Sequence, residues 1–279
     1  MISPIAPLPS VADIELNLLL EAVYRLSGYD FRDYSPAFVK RRVSERMRAE
    51  NAGTISSLQD RLLHDGDALD RFIFGLSSSS GKLFDNSTFF AELRAKVIPM
   101  LRTFPAVRVW IAGCGRGEDA YSLAILFREA GIAARSRIYA TDMSASAIIG
   151  AKDGRIESES PDTILARYRE TGGPSKIEEY VSFEGDVPRV RRALLQNVVF
   201  STHNLVSDGS FNEFHLIVCR DVLTHFNKSL AFRAHQVLFE SLIRGGYLAL
   251  GGNETISLSP HHRCFQRISE TEQIHRRVR

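Results

Sequence analysis

The sequence predicts an α/β fold: a mostly parallel sheet closed by a terminal antiparallel hairpin and preceded by a small all-helical domain. Three observations carry this reading. From Val11 to about Gly75 the apolar residues recur at helical spacing, with no strand-like run among them. From Arg108 to Tyr121, RVWIAGCGRGEDAY reads as a buried strand, a Gly-rich turn and the start of a helix. Beyond it, short apolar runs alternate with helical ones until RCFQRI and EQIHRRV bracket an SET turn, the pattern of a closing hairpin.

Each element follows from its local pattern. Residues 1–10 carry three prolines and read as a loose tail. Ile14, Leu18 and Leu19 open the helical region, and Tyr29 to Tyr34 interrupts it. Phe38 to Arg48 places Val39, Val43 and Met47 at spacing four, Ile55 to Leu63 follows a Thr54 cap, and Leu69 to Leu76 closes the set. SSSSGK, from Ser77 to Lys82, is a break in composition, so the expected organisation is a helical domain over 11–76, a linker over 77–87 and a second domain over 88–279. In LFDNSTFFAELRAKVIPML, Asn86, Ser87 and Thr88 are candidate caps for a helix leading into the first strand.

After the central strand and helix, SRIYATDMS is a second strand ending at Asp142, and SASAIIGAKDG is a helix with a Gly stop. Glu157 to Arg192 is polar and less regular, with EEYVSFE and VPRVRR as short strands of an inserted hairpin. NVVFSTHNL reads as a third buried strand and FHLIVCRDVLTHF as a fourth. AFRAHQVLFESLI is a helix and GGYLALGGNE a fifth strand.

Composition narrows the function classes. The chain has 279 residues, 44% of them hydrophobic and 24% charged, which is ordinary for a soluble globular protein, and cytoplasm is the expected compartment. No apolar run approaches a membrane span. Cys114, Cys219 and Cys264 lack paired spacing, which argues against a disulfide framework and a zinc site; the first two suit small buried thiols, and no metal is implied. The adjacent His261 and His262 read as solvent-facing. A net charge of +2 leaves local clusters to decide, and the strongest is FVKRRVSERMR, with Lys40, Arg41, Arg42, Arg46 and Arg48. A solvated face with Arg41 and Glu45 paired at i,i+4 explains it; so does an electrostatic platform for an acidic protein surface. It lacks the interleaved aromatics of a nucleic-acid interface.

The acids at the central turn point to the ligand. A strand, tight turn and helix bind adenine nucleotides in doubly wound folds, and Gly113 and Gly115 let the backbone approach the ligand. Phosphate at this helix N-terminus would be repelled by Glu118 and Asp119. A ligand with adenosine, a positive charge and no phosphate suits them, as S-adenosylmethionine does; the same acids would also complement the helix dipole. Asp142 lies near the spacing at which a carboxylate meets a ribose diol. Asn204, Leu205, Asp221, Thr224 and His225 follow strand ends, where ligands bind in open α/β sheets. The whole is the architecture of a Rossmann-like methyltransferase.

The order of TFF, AGCGRGEDAYSLAI, ATD, NL, LIVCRDVLTHF and GGNE after an Arg-rich helical domain resembles the chemotaxis receptor methyltransferases of the CheR type. These transfer methyl from S-adenosylmethionine to glutamates of receptor cytoplasmic helices, leaving S-adenosylhomocysteine. The resemblance, from about residue 11 to 279, implies that Glu118 faces the cofactor's methionine moiety and Asp142 its ribose. It implies further that Asn204 and Leu205 lie beside the adenine and that Thr88 approaches the cofactor. Arg41, Arg42, Arg46 and Arg48 match the surface that reads the acidic receptor, and about Ser175 to Arg192 matches a β-insertion that docks a receptor tail in some members.

Departures fall where chemistry is expected. The family's Phe-Phe-Arg is Phe89, Phe90, Ala91 here, and its C-R-N-V-L-I-Y-F ends with Asp221 for Asn and His225 for Tyr. Losing the Arg weakens the hold on a glutamate, and Asp221 discourages a carboxylate while favouring a sulfonium. A carboxylate acceptor needs no base, but a hydroxyl, phenol or amine does. Asp221 and His225 are therefore candidate orienter and base for a diverged acceptor, with a hydrogen-bonding filler of the Tyr space as the plainer role for His225. The alternative to an enzyme is a catalytically inactive cofactor-binding or receptor-binding module.

Overall fold

The structure, a computed structural model, describes residues 10–77, 81–156, 159–174, 176–185 and 187–279. The tail before Ser10, the serines at 78–80 of the expected linker and Ser175 lie outside the described residues. The chain divides into two compact units, 1–76 and 77–279.

The first unit is helical: α1 (Val11–Ser27), α2 (Pro36–Ala49), α3 (Ile55–His64) and α4 (Gly66–Ser77). The Ser10 side chain caps α1 by accepting from the Asp13 amide, and Gly28 ends it in the left-handed conformation at φ 79°. Thr54 and Ser57 form a reciprocal capping box at α3. Leu19, Val23, Val39, Val43, Leu58, Phe72 and Leu76 are buried, as their helical spacing predicts.

The charged face of α2 is only partly exposed. Arg46 is mostly buried and pairs with Glu50, which is 6% exposed and also receives Arg71 at 3.0 Å and Arg61 at 3.0 Å. Sequence reasoning placed Arg46 at the docking surface; instead its guanidinium serves an internal ion cluster. Arg42 lies 3.0 Å from Glu45, and Arg41, 3.9 Å from the same Glu45, and Arg48 are exposed.

The second unit opens with a helix whose parts are α5 (Ser87–Glu92), a π-helical turn (Leu93–Val97) and α6 (Ile98–Leu101). Pro99 has no N–H to give and its ring crowds the carbonyl four residues back, which accounts for the widened turn before it. There follow, in chain order, β1 (Val107–Ala112), α7 (Glu118–Glu129), β2 (Ser136–Asp142), α8 (Ala145–Asp153), α9 (Pro161–Glu170), a separate small hairpin β3 (Val181–Ser182) and β4 (Arg189–Val190), β5 (Val198–Thr202), β6 (Phe214–Cys219), α10 (Lys228–Glu240), β7 (Leu242–Leu250), β8 (Phe265–Arg267) and β9 (Ile274–Arg277). Strand order is β5-β2-β1-β6-β7-β9-β8, parallel through β7 and antiparallel across β9 and β8. Val109, Ile111, Leu216 and Val218 pack under α7; Trp110 and Ile217 face the opposite layer with Leu238 of α10.

Four expectations need correction. Within NVVFSTHNL only Val198–Thr202 is strand, the edge strand β5, bonded only to β2 within the sheet, and Val199 is 37% exposed rather than buried. Helix α9 was unforeseen within the polar stretch, although Ser160 caps it, Pro161 starts it and Ile164 and Tyr168 bury one narrow stripe. Helix α10 stops at Glu240, and Leu242 and Ile243 begin β7 instead. His261 is half-buried, stacked on Phe239 at 3.9 Å and 2.8 Å from the Gln236 side-chain oxygen; only His262 faces solvent.

Candidate active site

The Gly-rich turn is fixed before any ligand enters. The Gly113 and Cys114 amides donate to the Thr141 carbonyl at 2.8 and 2.9 Å, and the Gly115 amide donates to Asp142 Oδ2 at 3.0 Å. A Cβ on Gly117, at φ 96°, would lie 2.9 Å from the Tyr121 ring, so that glycine is required for the helix to start here. Gly113 is tighter still: at φ 76°, its Cβ would fall 2.3 Å from Val222 Cγ2. Gly113→Ala is expected to destabilise the second unit by about 2 kcal/mol or more through overpacking and backbone strain. Urea unfolding reads that cost, and a shift under 0.5 kcal/mol would mean the Val222 loop yields freely.

Gly113, Cys114, Glu118 and Asp119 of this turn line a narrow cleft with Gly81, Asp85, Arg220 and Asp221. Glu118 is 5% exposed at the first position of α7, and loss of water raises its carboxyl to about 8. Cys114, buried beside the acids, has its thiol pushed up by burial and then by Asp142 and Glu118, so it is inert. Asp119 receives Arg220 Nη1 at 2.7 Å, yet burial raises it all the same. Arg220 also donates to the Asp85 carbonyl at 3.1 Å and stacks over Phe89 at 4.6 Å, tying the segment before α5 to the sheet.

Glu254 positions the opposite wall. Its carboxylate accepts from the Val222, Leu223 and Gly251 amides at 2.9, 2.7 and 2.7 Å, and burial raises it despite those bonds. Asp221 stands beside this clamp at φ 58°, and Phe84 and Asn86, at φ 55° and 58°, flank the cleft residue Asp85. Three of the four non-glycine residues with positive φ among the described residues therefore border one site, the usual placing of backbone strain.

The structure thus gathers Gly113, Glu118 and Asp221. Asp142 adjoins them through Gly115; its other oxygen accepts from the Ser144 amide at 2.9 Å, and burial lifts it to about 6. The Met143 backbone also donates to this carboxylate. Asn204 and Leu205 follow β5 next to Asp142, whose carbonyl accepts from the His203 amide; Leu205 is buried, and Asn204 Oδ1 accepts from the Val206 amide. Thr88 is exposed on the first turn of α5, where Asn86 accepts from the Phe89 amide as the cap. His225 lies in a 3-10 turn with Nδ1 3.4 Å from Thr224 Oγ1. Sequence reasoning missed Asp85, Arg220 and Glu254, and it gave Asp119 no partner. Their signals, the second acid of GED and the Arg and Glu of LIVCRDV and GGNE, were visible as letters without an assigned partner.

These residues fit S-adenosylmethionine: the buried Glu118 carboxyl suits a cation, and the Asp142 carboxylate at a strand end suits a ribose diol. Among the described residues, no helix is long and apolar enough to cross a membrane. Residues 79–274 match the family described as CheR methyltransferase, SAM binding domain, and residues 14–76 match CheR methyltransferase, all-alpha domain. A Pseudomonas putida protein named as the methyltransferase Cher3 is 38% identical over 95% of this chain and 97% of its own. Chemotaxis protein methyltransferase of Listeria monocytogenes is 30% identical over 88% and 92%, and chemotaxis protein methyltransferase 1 of Pseudomonas aeruginosa 25% over 91% and 94%. The chain belongs to the CheR family of S-adenosylmethionine-dependent methyltransferases.

Proposed function

We propose that this enzyme methylates a side chain on a chemoreceptor-like cytoplasmic protein helix, a glutamate carboxylate or an acceptor diverged from it, in the cytoplasm. The buried Glu118 beside a Gly-rich strand-to-helix turn carries the cofactor half of this reading, and the relatives' names support the receptor half. When bound, S-adenosylmethionine supplies a methyl group on a sulfonium, open to direct in-line displacement. Glu118 holds the cationic methionine end, Asp142 accepts the ribose hydroxyls, Asn204 and Leu205 flank the adenine, and Thr88 closes the approach from α5. Binding and alignment then do most of the catalytic work, since displacement from sulfur needs positioning and a dry site. Arg41 and Arg48 contact the acidic receptor surface, with Arg42 a lesser contributor because Glu45 is beside it.

No finding favours an inactive module. The test is methyl transfer from labelled cofactor to receptor cytoplasmic fragments, resolved by mass spectrometry to the modified residue. No incorporation into any protein, with the cofactor demonstrably bound, would overturn it. The same assay assigns His225: as a general base it contributes about 100-fold or more to a hydroxyl or amine acceptor and nothing to a carboxylate. His225→Phe is therefore expected to abolish labelling of the former and spare the latter. Equal losses on both would make His225 a packing residue.

A further inference from the structure

We propose that the corner of the sheet at the other end from the cofactor cleft docks an acidic polypeptide segment, extended along the open edge of β8. The cleft lies beyond the carboxyl ends of the parallel strands, where Gly251 follows β7 beside Asp221. At the opposite end of β7 five arginines meet. Arg244 Nε donates to the Val278 carbonyl at 3.3 Å, and Arg276 Nε to the Gly245 carbonyl at 3.2 Å. Arg277 donates to the Phe239 carbonyl at 2.9 Å and to the Arg279 carbonyl at 3.0 Å. The Cys264 carbonyl accepts from the Val278 amide at 2.8 Å, which brings the adjacent Arg263 to the same corner.

Each of these side-chain bonds ends on a main-chain oxygen. Among the described residues none of the five arginines is paired with a carboxylate, and the Arg263 side chain has no hydrogen bond. Of the four acids from Lys228 to Arg279, Glu254 and Glu272 are buried. Glu270 sits in the turn before β9, whose first residue pairs with Ala249 at the cofactor end. Glu240 remains, and its carboxylate accepts from Gln236 at 2.5 Å. Arg244, Arg263 and Arg279 are exposed, while Arg276 and Arg277 are half-buried over Tyr247 and Phe239. Such an uncompensated cluster attracts anions, and a guanidinium matches a carboxylate with two parallel bonds. The adjoining edge selects the kind of anion. Strand β8 ends the sheet, and among the described residues its outer side is bonded to no other strand. A lipid headgroup or free phosphate makes no use of that edge, whereas a polypeptide adds a strand to it. Arg263 and Arg279 stand at the entry to β8, where the Arg279 amide donates to the Cys264 carbonyl at 3.4 Å, and meet the segment's acidic side chains there.

Fluorescence anisotropy on the full chain tests this with a labelled peptide of alternating Glu and Val. Saturable binding is expected, weakened about tenfold by Arg244→Gln, Arg263→Gln and Arg279→Gln together. Raising the salt is expected to weaken it likewise. All three side chains are exposed, so the triple variant is expected to keep the wild-type melting temperature. The same peptide N-methylated along its backbone keeps its charge but cannot pair with an edge, and is expected to lose about tenfold. No binding by the wild type overturns the proposal, and so does binding that survives the triple substitution in a folded protein. Equal binding of the N-methylated peptide overturns it as well, leaving the arginines to guard the edge rather than to use it. The reverse preference, with phosphatidylglycerol vesicles bound and the peptide not, overturns it in favour of a membrane contact.

Discussion

Glu118→Gln is expected to abolish measurable cofactor binding and, in the same protein, to raise the melting temperature of the ligand-free second unit at alkaline pH. Burial lifts the Glu118 carboxyl from an ordinary 4.5 to about 8. Between those values the native state keeps a proton that the unfolded chain has released. Stability from this group is therefore complete below pH 4.5, declines as pH rises through the window, and is gone above about 8. At about 1.36 kcal/mol per pH unit, the full span bounds the native-state cost at roughly 5 kcal/mol. Gln stays neutral and removes part of it; about 2 kcal/mol would raise the melting point of a unit this size by roughly 5 °C. Scanning calorimetry at pH 5 and pH 8.5 decides the matter: wild type and variant should nearly coincide at pH 5 and separate at pH 8.5. A pH-independent difference would show that Glu118 is not the titrating group.

The ligand reverses this linkage. A cation beside Glu118 stabilises the ionised form, so binding to the wild type expels a proton below pH 8 and the affinity rises with pH until it levels near 8. Repeating the titration in buffers of different ionisation enthalpy reads that proton directly. The chain thus carries an acid that weakens the empty protein and serves the occupied one, a trade-off common at binding sites.

Why was this corner legible before the fold was known? A strand, glycine turn and acid-led helix are local: Trp110, Gly113, Gly117 and Glu118 lie within one short stretch, and their order alone dictates φ values and the helix N-terminus. Asp142 followed from its position at a strand end. The counterparts were not legible because their partners are remote. Arg220 meets Asp119 and the Asp85 carbonyl, and Glu254 clamps Val222 and Leu223, across separations that no periodicity encodes. Edge strand β5 misled for a similar reason: Val198 and Phe200 pack toward Tyr121 and α7, but an apolar run does not say that Val199 faces open water. Arg46 misled most, since a cation on a charged helix looks like surface until the acid that buries it is found.

That acid is the subject of the other large expected effect. Glu50→Ala should cost about 3–5 kcal/mol, enough to unfold the first unit, because it strands Arg46 beside two further guanidinium groups. Glu50 pairs with Arg46, Arg61 and Arg71 alike, and its side chain is 4% exposed. Arg61 and Arg71 are nearly half exposed and can turn to water, whereas Arg46, at 19%, cannot. Burial and the two neighbouring cations already hold the Arg46 guanidinium below its ordinary value, so removing the carboxylate leaves desolvation and repulsion with nothing to offset them. A helical unit of this size buries a modest core and has little margin. Hydrogen exchange should lose protection across α1 to α4, read peptide by peptide in the full chain. Glu50→Leu with Arg46→Met tests the cause, since removing cation and anion together eliminates the stranded charge and should recover much of the loss. If Glu50→Ala keeps its protection within about 0.5 kcal/mol of wild type, the cluster is only a surface network with water as its real partner. If the double variant is no better than Glu50→Ala, the cost lies in lost packing around residue 50 and not in the unpaired guanidinium.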